Sequence, residues 1–318
     1  MSESFQHIPV LQQPALDLLC GQGGRRFIDG TLGGGGDSAA LLERLPQCEV
    51  LGIDRDPAAI AVCRERLARF GGRFHPFHGC FSQLDEAAAA LGWETVDGIL
   101  LDIGVSSPQI DTPERGFSFR FDAPLDMRMN PENGEATAAD LLNTLPEEAL
   151  ADIFFRYGEE RKSRIVARRI AERRRQQPWR RTGELAELLE RVVGRAHQHG
   201  LPAPTRVFQA LRIAVNRELD ELEKALNASA RVLCPGGRLV VISFHSLEDR
   251  AVKRFMQYSA QPCICPPGFP CTCHKQVTFE ILTRKPVVAD DRELALNSRA
   301  ACAKLRAAQR TAAPVAMP

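Results

Sequence analysis

The chain has 318 residues, a net charge of +1 and a pI near 7.6, with 44% hydrophobic and 25% charged residues. This is an ordinary globular composition, long enough for one large domain or two smaller ones. No apolar run approaches the roughly 18 residues that span a bilayer, and the N-terminus lacks the basic start and apolar centre of a secretory signal, so a cytoplasmic protein with no membrane partner is expected. Most of the ten cysteines are scattered singly, which suits reduced thiols better than a disulfide framework.

In chain order, "RRFID" is a short apolar run ending in Asp29, and five glycines then fall within the seven positions Gly30 to Gly36. "SAALLERL" reads as a helix, "CEVLGID" as a strand ending in Asp54, and "DPAAIAVCRERLARF" as a helix opened by Asp56 and Pro57. A third strand is expected in "RFHPFHG", an Ala-rich helix around Asp85 to Leu91, and a fourth strand in "VDGILLDIG", ending at Asp102. This alternation predicts an α/β fold: a doubly wound, mostly parallel, Rossmann-like sheet that binds ligands at the carboxyl ends of its strands.

From about Thr112 to Pro204 the rhythm breaks into helical segments bounded by "DAPLDMRMNPENG" and "HGLPAPT". Beyond it, Val207, Phe208, Leu211, Val215, Leu219, Leu222 and Leu226 recur at helical spacing, and "CPGGRLVVISFHS" reads as a turn before a buried strand. "VTFEILTRK" and "SRAACAKLRAAQ" then complete the sheet. The expected organisation is one discontinuous domain, residues 1–112 and 206–318, interrupted by a helical insertion, 113–205. Between Arg161 and Arg181 ten Lys or Arg face a single Glu, a density that suits either a solvated helix face or a surface for RNA phosphates.

The glycine turn alone fits several nucleotide binders. Its company discriminates: Asp29 before the turn, Asp54 after the second strand, where a carboxylate can accept from a ribose diol, Asp102 after the fourth, and Pro235-Gly236-Gly237 before the fifth. Together they favour a class I S-adenosylmethionine-dependent methyltransferase over a dehydrogenase. If the acceptor is an exocyclic amine, its delocalised lone pair must be held in line with the methyl group and its N–H groups offered acceptors. Asp102 is the candidate catalytic residue, with Ser106 and Ser107 nearby in sequence. His245 is expected to organise its loop, and Asn216, Arg217 and Glu218 can equally be structural. Phe117 and Phe119 suit either a core or a wall against which an unstacked base rests. The cluster Cys263, Cys265, Cys271, Cys273 and His274 is open between a zinc site and a proline-stiffened reduced loop; no metal is expected in the methyl transfer.

The motifs "HIPVL" from His7, "IDGTLGGGG", "GIDRDPAAI", "LDIGVSSPQ", "ERGFSF", "PLDMRM", "YGEER", "TRVFQALRIAVNRELDELE", "SFHSLEDR" and "SRAACAKLR" resemble, over nearly the whole chain, the bacterial 16S ribosomal RNA cytosine-N4 methyltransferases. The resemblance implies S-adenosylmethionine as cofactor, bound by Gly35, Gly36, Asp37, Asp54, Phe81, Asp102 and Gln109. It also implies a decoding-centre cytosine of 16S rRNA as substrate, within the small ribosomal subunit or an assembly intermediate, with no DNA partner. The family often has His where this chain has Asp37, and Arg where it has Gly34, so Asp37 is expected to act through its backbone N–H or by capping its helix. The competing readings are a methyltransferase for another amine, in DNA or a protein side chain, and a non-catalytic cofactor-binding assembly factor. Oligomeric state, a homodimer included, is left open by the sequence.

Overall fold

The computed structural model describes residues 9–21, 23–194, 203–266, 268 and 270–315. His7 and much of the "HGLPAPT" segment lie outside them. The first elements are α1 (Gln12–Leu19), β1 (Arg26–Asp29), α2 (Gly36–Arg44), β2 (Glu49–Asp54), α3 (Pro57–Arg66), β3 (Phe74–His78), α4 (Leu84–Ala90) and β4 (Val96–Asp102). Five helices follow: α5 (Ser107–Asp111), α6 (Ala138–Thr144), α7 (Glu147–Gly158), α8 (Ser163–Arg174) and α9 (Thr182–Val193). Then come α10 (Ala203–Asn216), α11 (Glu218–Val232), β5 (Leu233–Ser243), α12 (Ser246–Ala260), β6 (Phe279–Ile281), α13 (Asp291–Leu296) and β7 (Lys304–Arg310).

The seven strands lie in the order β3-β2-β1-β4-β5-β7-β6. β1 to β5 are parallel, whereas β7 runs antiparallel to both β5 and β6. Strand order reverses between β1 and β4, the position where open α/β sheets bind ligands. The strands read as continuous apolar runs because both faces are covered. Phe27, Val50, Leu100, Val240 and Ile242 pack into a core with residues of α1, α2 and α3. Their neighbours Ile28, Leu51, Ile99, Leu101, Leu239 and Val241 pack on the opposite face with residues of α4, α11 and α12. Pro235-Gly236-Gly237 does not precede the fifth strand as expected but lies inside β5, beside a register irregularity against β4.

The chain divides into two compact units, Met1–Gly104 with Leu219–Pro318, and Val105–Glu218. The second boundary lies later than residue 205 because α10 packs on α7 and α9 and carries Val207, Phe208, Leu211 and Val215 into the helical unit's core. The first lies at Gly104 rather than 112, so the turn after β4 opens the helical unit. Among the described residues, no helix is long and apolar enough to cross a membrane.

Candidate active site

Four aspartates of the sheet unit sit around the turn from β1 to α2. Gly30 must lack a side chain, since a Cβ there would lie 2.5 Å from Leu101 Cδ2. Gly35 has φ +72°, and a Cβ would meet Cys63 Sγ at 2.9 Å. Between them the backbone is pinned to the neighbouring strands, with Gly30 N–H donating to Leu100 O and Leu32 N–H to Ile53 O, each at 2.9 Å. Arg66 of α3 donates to Gly34 O at 2.7 Å, so a guanidinium does reach this loop although position 34 is glycine.

Asp29, buried at the end of β1, accepts from Ser38 Oγ at 2.6 Å and from Thr31 N–H at 3.2 Å. Asp54 accepts from Gly33 N–H through one oxygen and from Asp56 N–H through the other, both at 2.8 Å. It therefore ties the glycine turn to the start of α3. Asp37 does not cap α2: no side chain caps that helix, and Asp37 Oδ1 accepts instead from Gln12 Nε2 at 3.2 Å. Asp102 is held by its backbone, whose N–H donates to Thr31 Oγ1 at 2.6 Å. Its Oδ1 is buried and has no hydrogen-bond partner among the described residues. Phe81, in a single 3-10 turn after β3, packs against the core beside Gly30.

All four carboxyls are harder to ionise than usual. Burial, and then the charge of Asp29, pushes Asp37 up to about 7. Burial raises Asp54 to about 6 against the pull of the Asp56 and Gly33 N–H groups. Burial raises Asp29 too, and lifts Asp102 well above the carboxylate range, reinforced by the charges of Asp37, Asp29 and Glu248. A buried acceptor with no donor, within a set of mutually repelling acids, is an environment that a ligand bearing N–H donors and positive charge relieves.

At the end of β5, His245 caps α12 and Glu248 closes the box by accepting from the N–H of Phe244 at 2.9 Å and of His245 at 3.2 Å. His245 Nε2 lies 3.0 Å from Glu248 Oε1 without the directionality of a hydrogen bond. His245 thus organises its loop, as expected.

The remaining candidates belong to the helical unit. Gln109 is buried, and its Oε1 accepts from Ser106 N–H at 3.1 Å, closing the first turn of α5. Phe117 and Phe119 pack on the unit's core, Phe119 edge-on to Phe208 at 5.1 Å, so core is the reading the structure selects. Asn216 clamps the "PLDMRM" loop, accepting from Met129 N–H and donating to Met127 O, each at 2.8 Å. Glu218 takes a two-pronged contact from Arg212. The basic run is divided. Arg173 stacks 3.9 Å over the buried Trp179, and Arg174 donates to Leu142 O and Leu145 O at the end of α6. Arg164, Arg168 and Arg175 are exposed and have no ion pair among the described residues.

Local sequence pattern does not single out Thr31, Gln12, Ser38 or Glu248. Thr31 and Ser38 lie in or beside the glycine stretch and Glu248 stands three residues after His245 at a capping-box spacing, but these positions alone do not tell their partners, and nothing local marks Gln12. The family model described as the MraW methylase family matches residues 4–311. A protein of Heliobacterium modesticaldum called ribosomal RNA small subunit methyltransferase H is 50% identical over 96% of this chain and 99% of its own. Proteins of the same description from Geobacter sulfurreducens and Syntrophotalea carbinolica are also 50% identical, over 96% and 97% of this chain and 99% of each of theirs.

Proposed function

This chain belongs to the MraW methylase family, and from that premise we propose that it methylates small-subunit ribosomal RNA, with S-adenosylmethionine as donor and the N4 amine of a cytosine as acceptor. The observation that carries the reading is the buried Asp102 Oδ1 at the end of β4, without a hydrogen-bond partner among the described residues, beside the strand-order reversal and among three other raised carboxyls.

The residues fit the donor. When bound, S-adenosylmethionine supplies a methyl group on a positively charged sulfur. Asp54 presents acceptor lone pairs beyond those used by Gly33 and Asp56, which suits a ribose diol. Phe81 offers an apolar surface for a purine, Gly35 and Gly36 allow close backbone approach, and the open lone pairs of Asp102 Oδ1 can accept from a ligand N–H. Asp37 at about 7 is partly protonated near neutrality, which weakens the repulsion a ligand carboxylate would otherwise meet there. Gln109 is retained as a cofactor contact on the family resemblance.

On this reading Asp102, ionised once the donor's positive charge lies beside it, is the residue that accepts from the reacting amine or the cofactor and can take up a proton. The substrate is 16S rRNA within the small subunit or an assembly intermediate, engaged through the exposed arginines of α8 and the turn after it. The test is nucleoside mass spectrometry of small-subunit RNA from cells lacking the protein, complemented with wild type or Asp54→Ala. N4-methylated cytidine restored by the wild type alone is the expected result; its persistence in the deletion strain would remove the cytosine assignment. Donor binding without turnover on the correct RNA would favour the assembly-factor reading.

A further inference from the structure

The segment 261–278, between α12 and β6, has no regular secondary structure among its described residues. Its base is closed by Thr278 N–H donating to Ser259 O at 3.0 Å and by Lys275 Nζ donating to Gln261 O at 2.6 Å. Among its described residues, Ile264 is exposed rather than packed. Segments of this length without secondary structure need some other restraint to hold one conformation.

Four thiols converge inside it. Cys263 Sγ lies 3.5 Å from Cys271 Sγ and 3.8 Å from Cys273 Sγ, and the latter two are 3.7 Å apart. With Cys265, all four sulfurs lie within 4.8 Å of one another, and none is in a disulfide. Tetrahedral coordination with metal–sulfur distances of about 2.3 Å places neighbouring sulfurs about 3.8 Å apart. The three separations among Cys263, Cys271 and Cys273 match that edge and exceed the roughly 2.05 Å of a disulfide, and Cys265 lies within reach of the same centre. Two backbone donors also point at sulfur: Cys265 N–H to Cys263 Sγ and Thr272 N–H to Cys265 Sγ, each at 3.4 Å. Such donors stabilise metal-bound thiolates and orient them. His274, the fifth candidate in the sequence, does not join the set.

We propose that Cys263, Cys265, Cys271 and Cys273 bind one zinc ion as a closed, structural four-thiolate site that staples the loop between α12 and β6. The two C-x-C pairs come from opposite arms of the loop, so the metal cross-links its start to its end. Each thiol gives up its proton on binding, and all four positions are filled by protein, leaving no vacancy for catalysis.

The test uses the full chain, purified under reducing conditions without chelator. Elemental analysis is expected to find about one zinc per chain in the wild type and in Cys302→Ser, and none in Cys263→Ser/Cys271→Ser. Replacing the metal in the wild type with cobalt(II) is expected to give the intense visible bands and sulfur-to-metal charge transfer of a tetrahedral thiolate site, a readout independent of whether the variants fold. Limited proteolysis within the loop should accelerate when the metal is stripped. The proposal is overturned if fully reduced wild type neither contains nor takes up zinc or cobalt, or if the double variant retains the wild-type zinc content.

Discussion

Asp54 carries two loads, the backbone of the glycine turn and the proposed ribose contact, and substitutions separate them. Asp54→Asn keeps the shape but removes the charge, so donor affinity is expected to fall about 10- to 100-fold, in line with roughly 1.5–3 kcal/mol for charge-assisted bonds. Asp54→Ala also strips an acceptor from the Gly33 and Asp56 N–H groups and should cost a further ~1–3 kcal/mol of stability. Calorimetric titration and thermal denaturation read the two losses independently. The acids also set a pH dependence. Asp37 and Asp54 hold protons in the folded chain to about 7 and about 6, above their ordinary 3.8. The folded state thus binds more protons than the unfolded one across this window, and their contribution to stability is full below about pH 4 and lost as pH rises through 6 to 7. Cofactor binding should reverse the balance. Ribose hydroxyl donors favour ionised Asp54 and the donor's positive charge favours ionised Asp102, whereas Asp37 keeps its proton beside the ligand carboxylate, so protons are released on binding at pH 6 and affinity tightens from pH 5 to about pH 6. Calorimetry in buffers of different ionisation enthalpy measures that release; proton uptake instead would contradict the carboxyl-cation pairing.

Along α8 and the turn after it, the arginines separate by what they touch. Charge reversal at Arg164, Arg168 and Arg175 should weaken RNA binding with little change in melting temperature, and lower the salt slope by about 0.7–0.9 for each phosphate no longer neutralised. Unchanged affinity and slope would leave this surface a solvated helix face. Arg174→Ala behaves differently. It abandons Leu142 O and Leu145 O at the end of α6, and the expected result is a stability loss of ~1–3 kcal/mol seen in denaturant titration. Asn216→Ala likewise leaves Met129 N–H and Met127 O without their buried partner and should cost ~2–4 kcal/mol, loosening the loop that carries "PLDMRM".

For the molecule as a whole, the helical unit has its own core of Leu142, Phe154, Ile170, Trp179, Leu189 and Leu211. A fragment of residues 105–218 is therefore expected to fold alone, with a helical circular dichroism spectrum and a cooperative melt. A broad, non-cooperative melt would show that this core depends on the rest of the chain.

The alternation of strand and helix, the acids at strand ends and the specific motifs were all legible in the sequence, because periodicity and turn chemistry act over a few residues. That sufficed for a doubly wound sheet, for a helical insertion and for the family. The insertion's second boundary was not legible: Val207 to Val215 are apolar at helical spacing whichever core receives them. Nor did local pattern separate Arg173 and Arg174, packed on Trp179 and on α6, from the exposed Arg164, Arg168 and Arg175. Asp29, Asp37, Asp54 and Asp102 became one interacting set, and two C-x-C pairs a single cluster of sulfurs, only through the folded chain. Charge coupling and metal geometry depend on distance in space, and that is decided by how strands and loops remote in sequence are brought together.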